Sequence, residues 1–326
     1  MDIFYQIVQN TYFAATALLV VALGGLLAER SGVTNIALEG IMLMGAFVGI
    51  WVVRLLELDS GLSTQMIYLI GLLTGAGIGA LFAMVHAHAS IYLKANQIIS
   101  ATALNLFAPA FAIFTARIVH EQSTRYQPGS QVQFKSVFMI QEIPFLSDIP
   151  VIGDLLFKRV FISFYITIAI FVVVSIVLNK TRFGLRLRAC GENPHAADSL
   201  GINIYRMRFI AVTLSGFLAG MGGVMFVATT STEFNASVAG FGFLAIAVLI
   251  FGNWKPSRIV LAALFFGLMR TIGSFYTVIP FLKGLGFERE IYQMMPYLST
   301  LLVLAFFSKR SRAPKALGQV YDQGKR

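Results

Sequence analysis

The sequence predicts an all-α fold, a polytopic transmembrane helical bundle of about nine spans (eight to ten), and three observations support this. The chain has 326 residues, of which 57% are hydrophobic and only 12% are charged. A soluble domain is about 45–50% apolar and about 25% charged. The mean hydropathy is +0.77. Nine membrane helices need roughly 180 apolar residues, close to what the chain contains, so a soluble enzyme, a disordered chain and a disulfide scaffold are excluded.

Nine apolar stretches are the candidate spans. They lie at 10–28, 35–55, 66–92, 98–118, 160–178, 207–228, 238–252, 258–279 and 291–307. The first stretch follows a terminus without Lys or Arg, so we read it as a retained span rather than a secretory signal peptide. The seventh stretch is short and contains Gly240 and Gly242, so we expect half a helix or a re-entrant element there.

Basic residues orient these spans, because Lys and Arg collect in cytoplasmic loops. The formal net charge is +10, and two basic segments, 180–208 and 309–326, are therefore placed in the cytoplasm. Nine spans then put the N-terminus outside and the C-terminus inside. The segment 121–159 falls outside and is the only sizeable external piece.

An internal repeat of opposite orientation organises the chain. The stretch 22–27 is echoed by 220–225, and each is followed by a polar break, at 29–35 and 229–235. Inverted repeats with broken helices are a feature of transporters, although glycine pairs also permit close helix packing. We predict one membrane domain with a first repeat (1–120), an external segment (121–159), a basic cytoplasmic loop (180–206), a second repeat (207–308) and a cytoplasmic tail (309–326).

The basic loop contains a short helix with a capping residue at each end. Asn193 is a good N-cap, because its side chain can accept a hydrogen bond from a free backbone N–H. Pro194 suits the first helical position, and Gly201 can take the left-handed conformation that ends a helix. A capped helix in so basic a loop suggests a docking element. A solvated loop with positive-inside charge is the alternative.

The loop segment 181–197, TRFGLRLRACGENPHAA, resembles the cytoplasmic motif of bacterial ABC importer permeases. The branch concerned serves branched-chain amino acids, ribose-type sugars and nucleosides. The segment 29–40, ERSGVTNIALEG, resembles that branch before its second span. The segments 143–153, IPFLSDIPVIG, and 313–318, APKALG, are similar to the guanosine and purine nucleoside permeases. The resemblance covers nearly the whole chain.

The resemblance implies a division of labour in the bacterial inner membrane. Such a permease pairs with a second permease, usually a different chain. An ABC ATPase binds from the cytoplasm, and a lipid-anchored binding protein delivers nucleoside from outside. The permease itself is not an enzyme, and the sequence has no phosphate-binding P-loop motif. We expect no metal, cofactor or nucleic acid.

The resemblance also implies that the capped helix couples the permease to the ATPase. The residues carried over to this role are Arg186, Arg188, Gly191, Glu192, Asn193, Pro194, Ala196, Ala197 and Gly201. We expect Ala197→Arg to uncouple ATP hydrolysis from uptake. Cys190, the only cysteine, stands within the motif without an assigned function.

Polar side chains within the apolar stretches are candidates for the pathway, because a charged or amide group at membrane depth is costly and usually faces a cavity or a partner. Asn35 and Asn235 lie at the two breaks, and Glu39 and Asn105 are expected nearer the middle of the route. Amides suit a neutral nucleoside rich in hydrogen-bonding groups. Glu39 could instead be a structural partner of a backbone break, and Arg270 has no evident partner in the sequence.

Three other functions stay open at this point. The same machinery could carry a sugar, an amino acid or a vitamin such as riboflavin. An ion-coupled secondary transporter also has inverted repeats, but it has no need of a docking helix in a basic loop. A membrane enzyme lacks support, because no His, Asp and Glu cluster occurs at ligand or acid–base spacing.

Overall fold

The structure is a computed structural model, and it describes residues 2–121, 132–307 and 312–324. Helices dominate these ranges, which confirms the predicted all-α membrane fold. Residues 122–131 of the predicted external segment, and residues 308–311 and 325–326 near the C-terminus, lie outside the described residues.

The helices alternate with a few short strands. In chain order the helices are α1 (Asp2–Arg30), α2 (Leu38–Asp59), α3 (Thr64–Ala87, continued by a π-helical turn, His88–Tyr92), α4 (Gln97–Glu121), α5 (Ile152–Leu156), α6 (Ile162–Lys180), α7 (Arg182–Glu192), α8 (Pro194–Ser199), α9 (Ile204–Thr230), α10 (Phe241–Phe251), α11 (Pro256–Ser274), α12 (Pro280–Gly284), α13 (Arg289–Gln293) and α14 (Met295–Phe307). The strands are β1 (Val132–Gln133), β2 (Met139–Glu142), β3 (Lys158–Phe161) and β4 (Glu233–Phe234).

Seven helices of the described chain are long and apolar enough to cross a membrane, namely α1, α2, α3 with its π-helical turn, α4, α6, α9 and α11. They correspond to seven of the nine predicted spans. In α1 and α9, 94% and 78% of the most apolar part is buried, against 22% in α4 and α6. The first two therefore form the centre of the bundle, and the last two lie at its periphery.

The other two predicted spans are shorter in the structure. The stretch 238–252 is the 11-residue helix α10, as its glycines suggested. The stretch 291–307 is divided between α13 and the 13-residue α14. A helix that crosses the membrane perpendicularly needs about 20 residues, so the count of nine crossings stays a prediction.

Glycines on α3 and α9 allow these two helices to cross in backbone contact. A Cβ added to Gly220 would lie 2.1 Å from the carbonyl oxygen of Gly75, and one added to Gly216 would lie 2.4 Å from that of Gly79. Within each helix the two glycines, Gly75 and Gly79 of α3 and Gly216 and Gly220 of α9, have the Gly-x-x-x-Gly spacing that lets membrane helices approach closely. The sequence TGAGIGA of α3 therefore packs on SGFLAG of α9 without intervening side chains.

Contacts between loops divide the ends of the helices into two faces. On one face, Arg30 donates to the carbonyl of Trp254 (Nη2 to O, 2.6 Å). Lys94 forms an ion pair with Asp322 (2.9 Å) on the same face. A hydrogen bond from the N–H of Gly318 to the carbonyl of Gly32 (3.1 Å) links these two contacts. Together they join the loops after α1, after the π-helical turn and after α10 to the C-terminal tail, all of which the charge pattern placed in the cytoplasm.

The opposite face is built around two small antiparallel sheets. Strand β1 pairs with β4, with Val132 opposite Phe234, and β2 pairs with β3 as a hairpin. The Gln9 side chain ties the start of α1 to this hairpin by donating to the carbonyl of Lys158 (3.0 Å). This face contains the described part of the predicted external segment.

Candidate functional site

The predicted capped helix is present as α8 and has the predicted cap at each end. The Asn193 side chain accepts a hydrogen bond from the backbone N–H of Ala196 (3.1 Å). Pro194 occupies the first turn, and Gly201 has a φ of +78° that favours glycine. Local sequence rules thus predict where this helix begins and ends.

Helix α7 precedes α8 and anchors it to the membrane domain. The Thr181 hydroxyl caps α7 by accepting from the N–H of Gly184 (3.1 Å). Gly191 packs so closely on the end of α1 that a Cβ there would lie 2.4 Å from the carbonyl oxygen of Arg30. The two helices therefore hold the loop against the break between α1 and α2.

The residues assigned to ATPase coupling divide into a packed set and a surface set. Gly191, Pro194 and Ala197 are buried against the membrane domain. Arg188 is half-buried. The residues exposed on the surface are Arg186, Glu192, Asn193, Ala196 and Gly201. Only the exposed residues are available to a partner.

Ala197 is therefore a poor probe of a partner interface. It is 2% exposed and packs with Cys190 and Tyr321. An arginine at Ala197 would disrupt that cluster before it met a partner. Leu200, which directly follows α8, is 82% exposed. Leu200 is therefore an exposed apolar side chain at the end of the predicted docking element, available to a partner.

The C-terminal residues 312–324, which we call the docked tail, pack against α7 and α8. The N–H of Ala316 donates to the carbonyl of Gly191 (2.9 Å), and the N–H of Gly318 donates to that of Gly32 (3.1 Å). The Tyr321 ring lies 5.2 Å from the ring of His195. The docked tail thus joins the loop after α1 to the capped helix.

Arg208 connects the same elements from the inside. Arg208 is 3% exposed, and its guanidinium donates to the carbonyl of Ser31 (Nε, 3.1 Å) and to that of Gln319 (Nη1, 2.9 Å), while Nη2 has no hydrogen-bond partner among the described residues. A buried charge is tolerated only when hydrogen bonds satisfy it. The sequence predicts only a positive-inside role for Arg208, because nothing local distinguishes it from its exposed neighbour Arg206.

Glu39 binds the start of the short helix α10. Its two carboxylate oxygens accept from the backbone N–H groups of Gly240 (2.9 Å) and Gly242 (2.7 Å). Helix N-termini have free N–H groups and a partial positive charge, so a carboxylate stabilises them. The polar break after α1 and the break after α9 therefore meet at Glu39.

The three asparagines of the predicted pathway have different environments. Asn35 is 1% exposed and donates to the Ser215 hydroxyl (3.0 Å). Asn105 is half-buried, and its amide accepts from the N–H of Gly40 (2.8 Å) and donates to the carbonyl of Ile36 (3.0 Å). Asn235 is exposed. The structure therefore brings Asn105 and Asn35 to the first break and leaves Asn235 at the second.

Arg270 stacks on the first residue of α10. Its guanidinium carbon lies 4.4 Å from the centre of the Phe241 ring and 5.6 Å from that of Phe226, within the range of a cation–π interaction. Among the described residues, no carboxylate forms an ion pair with it. Its aromatic partners could not be identified from the sequence, because they belong to other helices.

Burial raises the pKa of the Cys190 thiol to about 11. The thiol is fully buried in the cluster of Ala197, Ile204 and Tyr321. A thiol with a raised pKa is a poor nucleophile at neutral pH. Cys190 is therefore a packing residue of the loop.

Comparisons with known proteins give a consistent result. The family model described as "Branched-chain amino acid transport system / permease component" matches residues 7–304. The nucleoside ABC transporter permease protein NupC of Lactococcus lactis is 40% identical over 320 residues (98% of this chain, 97% of that protein). The guanosine ABC transporter permease protein NupQ of Bacillus subtilis is 37% identical over 322 residues (98% and 97%). A second Lactococcus lactis protein, the nucleoside ABC transporter permease protein NupB, is 26% identical over 308 residues (92% and 79%). No solved structure matches the chain.

The chain belongs to the family of permease components of branched-chain amino acid transport systems. It is a multi-pass membrane protein and a transport subunit rather than an enzyme.

Proposed function

We propose that this chain is the permease subunit of an ATP-driven ABC importer and forms, with a second permease, the membrane pathway for nucleosides. The assignment of nucleosides as the substrate rests on the similarity, over nearly the full length, to a nucleoside permease and a guanosine permease. Amide and hydroxyl side chains suit a neutral substrate rich in hydrogen-bonding groups.

Three partners complete the transporter. Membership of the family implies another permease, an ATPase and a substrate-binding protein. We propose that the second permease is a different chain, because one bacterium, Lactococcus lactis, has two nucleoside permeases similar to this chain, at 40% and 26% identity. We also propose that the binding protein is lipid-anchored and meets the face that carries the β2–β3 hairpin.

The ATPase binds at α8. Exposed Ala196, Glu192 and Leu200 form the contact surface, whereas Gly191, Pro194 and Ala197 hold the helix in place. Arg186 is exposed on α7 beside them. What supports this proposal is a rigidly anchored helix that ends in an exposed leucine on a basic face.

The centre of the pathway lies near the meeting point of the two breaks. Glu39 is there, and Asn105 fixes the first break by hydrogen bonds to its backbone. Asn235 stands at the outer end of the second break, and Asn35 supports the first from the buried side. Breaks that meet at one carboxylate favour the arrangement of two inverted repeats, 1–120 and 207–308, around a common route.

The face with α8 and the docked tail is cytoplasmic, and the N-terminus lies outside. Of the 25 basic residues, 16 then lie on the cytoplasmic side. The loop contacts support this assignment, because segments of like predicted sidedness meet one another on each face.

Uptake of labelled guanosine by cells expressing the whole transporter tests the proposed function. We expect competition by unlabelled nucleosides and none by ribose, leucine or riboflavin. Competition by one of these three instead would assign the other substrate class. An ATPase should copurify with the permease, and uptake without it, driven by an ion gradient, would indicate a secondary transporter.

A further inference from the structure

Three adjoining cavities run inward from the face that carries the β2–β3 hairpin. The outer cavity has a volume of about 800 Å³ and the middle one about 410 Å³, and Gln6, Gln9 and Arg159 line both. The inner cavity has a volume of about 230 Å³ and shares Asn10 and Thr229 with the middle one. Together they form a continuous groove between α1, the hairpin, α9 and α11, which we call the polar groove.

Charge is balanced at the mouth of the polar groove and positive farther in, where Arg159 and Arg270 are the charged groups of the described lining. The outer cavity is lined by Glu142, Asp154, Lys158 and Arg159, of which Lys158 and Asp154 form an ion pair (2.8 Å). The described lining of the middle and inner cavities contains amides, hydroxyls, aromatic rings and two arginines but no carboxylate. A metal or organic cation is repelled there, whereas a molecule with acceptor atoms finds the donors of Arg159, Arg270 and the amides.

The inner cavity ends at Arg270. One side of the Arg270 guanidinium stacks on Phe241, and its N–H groups form a planar set of donors. The hydroxyls of Thr229 and Thr230 donate to the carbonyls of Met225 (2.9 Å) and Phe226 (2.7 Å), so their oxygens can still accept. The cavity thus offers donors and acceptors side by side.

Aromatic rings complete the inner cavity. Phe13 and Phe275 are part of its lining. A planar ring that stacks on an aromatic side chain gains dispersion and electrostatic stabilisation. A ligand that satisfies the whole lining therefore has a planar ring with acceptor atoms at its edge and hydroxyl donors elsewhere.

We propose that the polar groove binds nucleoside on its way through this subunit, with Arg270 donating to the acceptor edge of the base and with Asn10, Thr229 and Thr230 near the sugar hydroxyls. This inference rests on the proposed nucleoside function. A purine nucleoside fits the donor pattern of Arg270, because guanine and hypoxanthine present two adjacent acceptors, N7 and O6, that match a guanidinium. An aliphatic amino acid or a simple sugar leaves the aromatic rings unused.

The groove ends where the route proposed above begins. Arg270 stacks on Phe241, and Phe241 starts the helix whose N-terminus Glu39 binds. A nucleoside at Arg270 therefore lies next to the meeting point of the two breaks. Binding or release of the nucleoside at Arg270 can therefore change the position of α10 through the contact between Arg270 and Phe241.

Arg270→Met is the main test, with uptake of inosine and of uridine measured in cells that express the whole transporter. We expect inosine uptake to fall about tenfold or more, because the base loses its charge-assisted hydrogen bonds to the guanidinium. Uridine uptake should fall less, and Arg270→Lys should restore part of the inosine uptake. The matched control is Arg54→Met, which removes a half-buried arginine of α2 outside the groove and should transport as wild type.

A second measurement does not depend on the folding of an Arg270 variant. Asn10→Cys places a thiol at the junction of the middle and inner cavities, and a small thiol reagent is applied from outside. We expect excess inosine to slow the modification at least threefold, with no effect of ribose.

The outcomes separate this inference from the proposed function. If the wild-type transporter imports inosine but Arg270→Met imports it at the wild-type rate, the groove is not the route. Absence of protection at Asn10→Cys likewise overturns the inference. If the wild-type transporter imports no nucleoside at all, the proposed function itself is wrong.

Discussion

Glu39 satisfies N–H groups that no residue near them in sequence reaches. The start of α10 is a left-handed glycine without a side-chain cap of its own, and the carboxylate that binds it comes from 201 residues away. At this helix start the N–H groups of Phe241 and Leu244 have backbone acceptors, whereas those of Gly240 and Gly242 depend on Glu39.

We therefore expect Glu39→Ala to lower the stability of the permease by about 1–3 kcal/mol, the cost of losing a charged cap. The midpoint of thermal unfolding of the detergent-purified protein measures this. Glu233→Ala is the matched control, since among the described residues the Glu233 carboxylate accepts one hydrogen bond, of 3.3 Å, from the exposed Gln133. Equal midpoints for the two variants would refute the capping role.

Cys190 gives a prediction about pH. Burial raises the pKa of its thiol to about 11, so the folded protein disfavours the thiolate. A thiol-specific reagent should leave native Cys190 unmodified at neutral pH and modify it after denaturation. The unfolded chain releases its proton at lower pH than the folded one, so this group destabilises the fold as the pH rises from about 9 toward 11. Rapid labelling of the native protein at pH 7 would contradict the burial.

At the residue scale, the sequence predicts contacts between neighbouring residues, such as helix caps, but not contacts between residues far apart in the chain. Asn193, Pro194 and Gly201 cap α8 as the sequence predicts, because each acts on its own neighbours. Glu39 was a candidate for the pathway, and its bond to Gly240 depends on how two distant breaks pack. One sequence contains no signal for that contact.

The helix α8 and Leu200 form the element on which the ATPase proposal depends. Leu200→Glu replaces an 82% exposed apolar side chain with a charge and leaves the caps of α8 intact. We expect uptake to fall about tenfold and the ATPase to copurify less well, as for loss of an interface anchor. Phe145→Glu makes the same change at an 89% exposed site on the opposite face and should leave ATPase binding unchanged. Normal coupling in Leu200→Glu would remove α8 from the interface.

The docked tail is expected to hold the coupling helix in position. Removal of residues 312–326 leaves the carbonyls of Gly191 and Gly32 without their tail partners and deprives buried Arg208 of one acceptor. The truncated permease should still reach the membrane but hydrolyse more ATP per nucleoside imported. Lys94→Ala removes only an exposed ion pair to the tail and should leave both stability and coupling close to wild type. A truncated permease with wild-type coupling would show that the tail is dispensable.

At the element scale, apolar length predicts the long helices and fails at the short ones. The seven long spans follow directly from runs of apolar residues. The stretch 291–307 is divided in two by the break between Gln293 and Met295, which hydropathy does not register. The tail motif APKALG was visible in the sequence, but its contacts with Gly191 and Gly32 required the fold.

The whole molecule has two faces, and each is joined by contacts between segments of the same predicted side. A topology with an odd number of crossings places α8 and the docked tail together in the cytoplasm and the β2–β3 hairpin outside. The contact of Gln9 with the hairpin keeps the N-terminus on the hairpin side, and the contacts of the docked tail keep the C-terminus on the α8 side. With the two termini on opposite sides, the number of crossings is odd. The loop contacts therefore favour the predicted orientation.

Labelling of introduced cysteines tests this orientation in whole cells. Val137 is 63% exposed on the hairpin face, and Ser199 is exposed at the end of α8. A membrane-impermeant thiol reagent should modify Val137→Cys in intact cells and should reach Ser199→Cys only after the membrane is permeabilised. The native Cys190 is buried and should not react with the reagent in intact or in permeabilised cells, so it does not need to be removed. The reverse pattern would place the basic face outside, against the positive-inside rule. In that case neither α8 nor the docked tail could contact a cytoplasmic ATPase.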